Sequence, residues 1–158
     1  MLGLVKGEIK KCGFDGTTDR IRQLSFGTYN RNFKPNRTDA DWLCGDTAAL
    51  DQYLADPLVR KNISAGLFRE LLGSMKRTGK AESYANWNKD MPILLLYGTE
   101  DPVGNGGKGV TALQNMMRKA GLRQADCHPF PQARHDIFHE ASTGTAEAVG
   151  RCIADWIN

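Results

Sequence analysis

The spacing of apolar side chains divides the chain near Asp90 into two parts with different periods. In the first part apolar residues recur at the three- and four-residue intervals of helices. Leu2, Val5 and Ile9 share a face until Gly13, a residue suited to ending a helix. A short helix is expected around Ile21 and Leu24, capped by Asp19 or a nearby threonine. Asp46 heads a helix carrying Leu50, Tyr53 and Leu54, which Asp56-Pro57 closes because the residue before a proline is pushed out of helical conformation. Ser64 heads another, whose Leu67, Phe68, Leu71, Leu72 and Met75 form one broad stripe expected to pack into a core. From Gly27 to Asp41 the chain is rich in Asn, Arg, Pro and Asp with isolated aromatics, and reads as an exposed loop. No alternation of the kind a half-buried strand needs occurs in this half.

The second part changes character. Pro92 to Gly98 is a continuous apolar run ended by glycine, which predicts a strand buried on both faces. A polar turn from Thr99 to Gly107 leads into a helix with Val110, Leu113, Met117 and Ala120 on one face, stopped by Gly121. Asp126 to Phe130 predicts a second short strand that Pro129-Phe130-Pro131 cannot extend. A final helix from about Thr145 aligns Val149, Cys152, Ile153 and Trp156. The fold class is therefore α/β: a helical segment over residues 1–89, then a β-α-β-α unit over 90–158 with parallel strands and a right-handed crossover. Two parallel strands do not make a stable sheet alone, so the unit reads as part of a larger fold whose other strands lie elsewhere.

Candidate chemistry sits in the two loops that follow the strands. Gly98-Thr99-Glu100-Asp101-Pro102-Val103-Gly104 places Asp101 beyond the carboxyl end of the first strand, where ligands and catalytic groups gather in open α/β sheets. Pro131-Gln132-Ala133-Arg134-His135-Asp136 places His135 at the same end of the second. Neighbouring strands are about 4.8 Å apart, so a carboxylate and an imidazole on these loops can meet. A carboxylate at Nδ1 fixes the histidine tautomer and stabilises the imidazolium formed when Nε2 removes a proton. Taken singly, each residue has a plainer explanation: Asp is favoured in turns for its local hydrogen bonds, and a lone histidine is more often packed than catalytic. The pairing carries the weight. Arg134 is expected to be structural, bonding loop carbonyls or Asp136, and neither His128 nor His139 is assigned a role.

These residues resemble a known family. Asp90 to Gly104, continued by Gly107-Lys108-Gly109-Val110, looks like the penultimate-strand and acid-loop motif of lysophospholipase- and monoacylglycerol-lipase-like α/β-hydrolases. Arg134-His135 with Glu140 resembles that family's histidine loop, with Asp136 where Glu is usual. Asp41-Trp42-Leu43, Asp46, Tyr53-Leu54, Asp56-Pro57 and Ala65-Gly66-Leu67-Phe68 resemble its helical cap. The resemblance implies a partial α/β-hydrolase fold, Asp101 as triad acid, His135 as base, no cofactor, and acyl esters or lysophospholipids as substrates beneath the cap, where the Leu67 to Met75 stripe is open to a second reading as the lining of an acyl channel.

One departure decides what to expect of the polypeptide. The family's serine lies in a G-x-S-x-G elbow, absent here: the five serines are Ser25, Ser64, Ser74, Ser83 and Ser142. The nearest, Ser74 in Leu72-Gly73-Ser74-Met75-Lys76, lacks both required glycines and falls in a helix. Without nucleophile and oxyanion hole an Asp–His pair has little to catalyse, so the chain is expected to be inactive alone, the C-terminal half of a serine ester hydrolase whose N-terminal half is missing. The alternative is a non-catalytic interaction or structural fragment. In either case the first strand offers an apolar edge, and self-association is expected.

Bulk properties narrow the field further. The 21 basic and 18 acidic side chains are interspersed and leave a formal charge of +3, without the basic face that nucleic-acid binding needs. The longest strongly apolar run, Ile93 to Tyr97, is far too short for a transmembrane segment. The first eight residues lack a signal-peptide layout, and Cys12, Cys44, Cys127 and Cys152 are scattered as in reduced proteins, so a cytoplasmic location is expected. Two rival motifs are weaker. Gly104-Asn105-Gly106-Gly107-Lys108-Gly109 fits G-x-G-x-x-G, but Thr99 to Val103 separate it from the strand, and the tight dinucleotide turn is lost. His135-Asp136-Ile137-Phe138-His139 imitates H-E-x-x-H, a zinc-hydrolase pattern using His135 and His139, with no third ligand at a recognisable spacing.

Overall fold

Helices form where the apolar spacing places them, in the computed structural model that describes residues 1–59 and 63–158, with the side chains of Leu24 and Ser25 also outside the described set. The order is α1 (Leu2–Cys12), α2 (Asp19–Ser25), a 3₁₀ segment (Phe26–Phe33), α3 (Thr47–Ala55), α4 (Ala65–Thr78), a 3₁₀ turn (Ala81–Tyr84), β1 (Ile93–Gly98), α5 (Lys108–Lys119), β2 (Ala125–Phe130) and α6 (Thr145–Ile157). The expected caps are in place. Asp46 accepts from the Ala49 amide and Ser64 from the Leu67 amide, satisfying helix-end donors that would otherwise lack partners. Gly13 ends α1 at φ 81°, a left-handed value that favours glycine. Thr18 stands at the start of α2 without a side-chain cap bond.

Three hydrophobic clusters organise the packing. In the first, Val5, Ile21, Ala65 and Phe68 join α1, α2 and α4. In the second, Met117, Leu122, Ala125 and Tyr84 pack with Ile93 and Leu95 under α5. In the third, Phe130, Ala133, Ile137 and Val149 pack with Leu96, Cys152 and Ile153 under α6. The sheet is thus covered by α5 on one face and α6 on the other, with β1 and β2 parallel and paired from Ile93 with Ala125 to Gly98 with Phe130.

Four sequence expectations need correction. The Leu67 to Met75 stripe does not enter a core as a whole: Phe68 and Leu72 do, while Leu67, Leu71 and Met75 line an exposed face of α4. Trp156, aligned with the buried face of α6, is 39% exposed in the last turn of that helix. Ile93 to Tyr97 are half-buried rather than buried, because β1 has a strand on one edge alone among the described residues. The segment from Gly27 to Asp41 is no simple exposed loop. Its start is helical to Phe33, and Phe26, Tyr29 and Trp42 form an aromatic group in which Phe26 stacks on Trp42 at 5.9 Å between ring centres. Aromatic surface outweighed the polar composition.

Candidate active site

Backbone bonds between the two loops build the site before any side chain enters it. Beyond the strand ends, Thr99 N donates to Phe130 O (3.0 Å), Glu100 N to Ala133 O (2.9 Å), and Gln132 N to Thr99 Oγ1 (2.9 Å). This close approach requires glycine at 98, since a Cβ there would lie 2.2 Å from the carbonyl oxygens of Ala133 and Arg134. Gly107 is similarly constrained, having φ 86° and the Tyr97 ring where its Cβ would be.

The loops bring Asp101 and His135 together, with Nδ1 of His135 3.1 Å from Oδ1 of Asp101. Asp101 is buried, and its two oxygens also accept from the amides of Val103 (2.8 Å) and Gly104 (3.2 Å). The local Asp turn and the histidine pairing therefore coexist. Burial pushes the Asp101 carboxyl up, but the His135 ring and these amides outweigh it and hold it below its ordinary value. His135 moves the other way. The hydrogen bond to Asp101 raises its pKa against the cost of burial, and the charges of Asp101 and Asp136 add to the rise. With Nδ1 engaged, Nε2 is the nitrogen left to exchange a proton with a reacting group.

The histidine loop is fastened to the segment between the 3₁₀ helix and α3. Trp42, 8% exposed, lies against the imidazole of His135 at 5.4 Å between ring centres. Arg134 donates to the carbonyls of Asp41 (2.5 Å) and Cys44 (3.2 Å), and its guanidinium covers the Phe33 ring. It bonds loop carbonyls, as expected, rather than Asp136. Glu140, 1% exposed, accepts from the amides of Gly45 (2.8 Å) and Arg134 (3.0 Å). The contact of Trp42 with the histidine was not legible in the sequence, although an isolated Trp beside an Asp within a polar stretch was a signal that the stretch folds inward. Burial pushes the nearby Cys44 thiol up to about 11, so it stays protonated and non-nucleophilic at neutral pH.

The rival motifs do not assemble. Residues 135–139 form bends and turns rather than a helix, His139 Nδ1 pairs with Asp136 at 2.8 Å, and no three His, Cys, Asp or Glu side chains among the described residues gather as a metal site. Within Gly104 to Gly109, Gly104 serves the Asp101 turn and Gly109 N bonds back to Gly104 O, so the glycines shape the acid loop. Two hollows adjoin the site. An open cleft of about 630 Å³ runs between the acid loop and the 3₁₀ helix, past Tyr29, Asn32, Phe33 and Asp101. A more apolar cavity of about 400 Å³ lies behind Trp42, lined by Phe26, Leu43, Leu54 and Ile63 among others.

Residues 15–142 match the family described as Serine aminopeptidase, S33. The chain belongs to that family of α/β-hydrolases. No curated protein matches it. Among solved structures it is similar to a highly thermostable carboxyl esterase from Bacillus coagulans, with a TM-score of 0.87 and 21% identity over 99% of this chain and 50% of that one. It also resembles a monoacylglycerol lipase from Paleococcus ferrophilus, with a TM-score of 0.61 and 24% identity over 86% of this chain and 51% of that one. At these identities the likeness is one of fold. This member of the S33 family spans about half the length of either structure, and the two parallel strands and six helices among its described residues are α/β-hydrolase elements. No described helix is long and apolar enough to cross a membrane.

Proposed function

We propose that this chain supplies the acid–base half of a serine ester hydrolase of the lysophospholipase or monoacylglycerol-lipase type. Asp101 orients the histidine, and His135 takes the proton of an attacking serine and returns it to the leaving alcohol. The observation that carries the reading is the Nδ1 to Oδ1 contact of 3.1 Å between loops at one end of a parallel sheet. The sequence holds no G-x-S-x-G, so the nucleophile and the oxyanion-hole amides come from a polypeptide segment beyond these 158 residues, paired along the open edge of β1. The half-burial of Ile93 to Tyr97 supports this, since an apolar parallel strand is ordinarily flanked on both edges. In the absence of that segment the same edge pairs with a second copy, giving self-association.

Residues 1–89 act as the cap and 90–158 as core. Esters of long acyl chains suit the more apolar cavity lined by Trp42, the residue that packs on the histidine, and its volume of about 400 Å³ is large enough for an alkyl chain. Four unpaired cysteines fit a reducing compartment, the cytoplasm.

The test has two arms. A fluorophosphonate probe is expected to leave this chain unlabelled. A protein joining it to a serine-bearing α/β-hydrolase segment is expected to be labelled and to hydrolyse long-chain p-nitrophenyl esters, with both lost in His135→Ala. Strong labelling of this chain alone, or undiminished activity in His135→Ala, contradicts the proposal.

A further inference from the structure

We propose that Glu140 is a positioning residue for His135, setting the histidine loop through the Arg134 amide while anchoring the Trp42 segment through the Gly45 amide. The inference deepens the reading of His135 as the base and rests on it. One buried oxygen, Glu140 Oε1, accepts both amides, one from each segment. The bond to Arg134 fixes the Ala133–Arg134 peptide, one residue before His135. On its other side Asp136 N donates to Leu43 O at 2.7 Å, so the residues flanking the histidine are tied on both sides to one structure. The Arg134 guanidinium closes the set on the carbonyls of Asp41 and Cys44. The fit is close: a Cβ on Gly45 would lie 2.8 Å from Glu140 Oε2.

The consequence is that Trp42 and His135 move as one body. Residues 41–45 are then a fixed wall of the site, whatever the helices beyond them do, and the indole excludes water from one side of the imidazole. A carboxylate that merely stabilised the fold would affect all loops alike. A positioning residue acts specifically on the His135–Asp101 contact and the His135–Trp42 contact.

The experiment is an NMR titration of the His135 imidazole in this chain, read with the ring-current shift that Trp42 imposes on it. The charged groups acting on that ring are Asp101 and Asp136, neither of which is altered by changing Glu140. Glu140→Gln keeps an oxygen for both amides and is expected to retain the wild-type titration and ring-current shift. Glu140→Leu keeps the bulk without an acceptor. Its His135 midpoint is expected to fall toward that of Asp101→Asn and the ring-current shift to collapse, while the methyl resonances of Val5 and Leu122, buried in the other two clusters, stay in place. If Glu140→Leu does not fold, Gly45→Ala, which crowds the same carboxylate, is expected to move both readouts in the same direction by less. A wild-type titration in folded Glu140→Leu, or in Gly45→Ala where that variant is needed, overturns the proposal, as does equal loss in Glu140→Gln and Glu140→Leu. Asp101→Asn separates the two levels: if it leaves the His135 midpoint unmoved, the acid–base reading fails, and if it alone lowers the midpoint, the role of Glu140 fails.

Discussion

Two histidines four residues apart on one loop each meet an aspartate, and the shorter contact has the lesser consequence. His139 meets Asp136 at 2.8 Å, but both belong to one turn, and their side chains are 67% and 38% exposed. His135 meets Asp101 at 3.1 Å across two loops that backbone hydrogen bonds zip together, against a carboxylate only 10% exposed. Solvent screens the first pair, and its two side chains lose rotamer freedom for little return. In the second the partners are held by the fold, so both pKa values move and a defined nitrogen is left for proton transfer. Placement, more than distance, distinguishes a pair held by the fold from a surface contact.

Substitutions sharpen that contrast. In a protein completed with a serine-bearing segment, His135→Ala is expected to lower ester turnover by about 10⁴-fold or more, as loss of a triad base does. His139→Ala is expected to leave it within about twofold, since no reacting group depends on it. Comparable losses in the two would erase the distinction. Next in size, Gly98→Ala drives a Cβ into two carbonyl oxygens at the junction of the loops. It is expected to destabilise the chain by about 1–3 kcal/mol or more in urea titration, with loss of the His135–Asp101 contact.

The pH dependence of stability separates the pairs more finely. His135 has a raised pKa, so its contribution is complete below the ordinary histidine value and is lost as pH climbs through the folded one. Asp101 has a lowered pKa, so its contribution is complete above the ordinary carboxylate value and is lost as pH falls through the folded one. The pair is therefore expected to stabilise most between about pH 4 and 6.5, the ordinary values of the two groups. The difference between wild type and Asp101→Asn, measured by urea titration across pH, checks this. The smallest effect belongs to Asp136→Asn, which keeps the amide bonded to Leu43 and is expected to change stability by less than about 0.5 kcal/mol.

The parts legible in the sequence are those set by local rules. The apolar period placed β1, β2, α5 and α6, and the Asp46 and Ser64 caps marked two helix starts within a residue. The two loops could be set side by side because parallel strands in register leave their following loops at one end. What stayed hidden depends on contacts between distant residues. The 3₁₀ helix at Phe26–Phe33 exists because its aromatics find Trp42, and polar composition gives no sign of that. The bond from the Gly45 amide to Glu140 joins positions 95 residues apart, a separation no spacing rule reaches. The exposed ridge of α4 is not legible for a related reason, since a stripe that is apolar all along does not say which part faces inward.

The most direct measurement is the tautomer of His135, read from long-range ¹⁵N–¹H correlations of the imidazole above its titration midpoint. If Asp101 holds Nδ1 and leaves Nε2 as the proton acceptor, the neutral ring carries its proton on Nδ1, and Asp101→Ala releases that preference. A neutral ring protonated on Nε2 in the folded wild-type chain, indifferent to Asp101, would contradict the account.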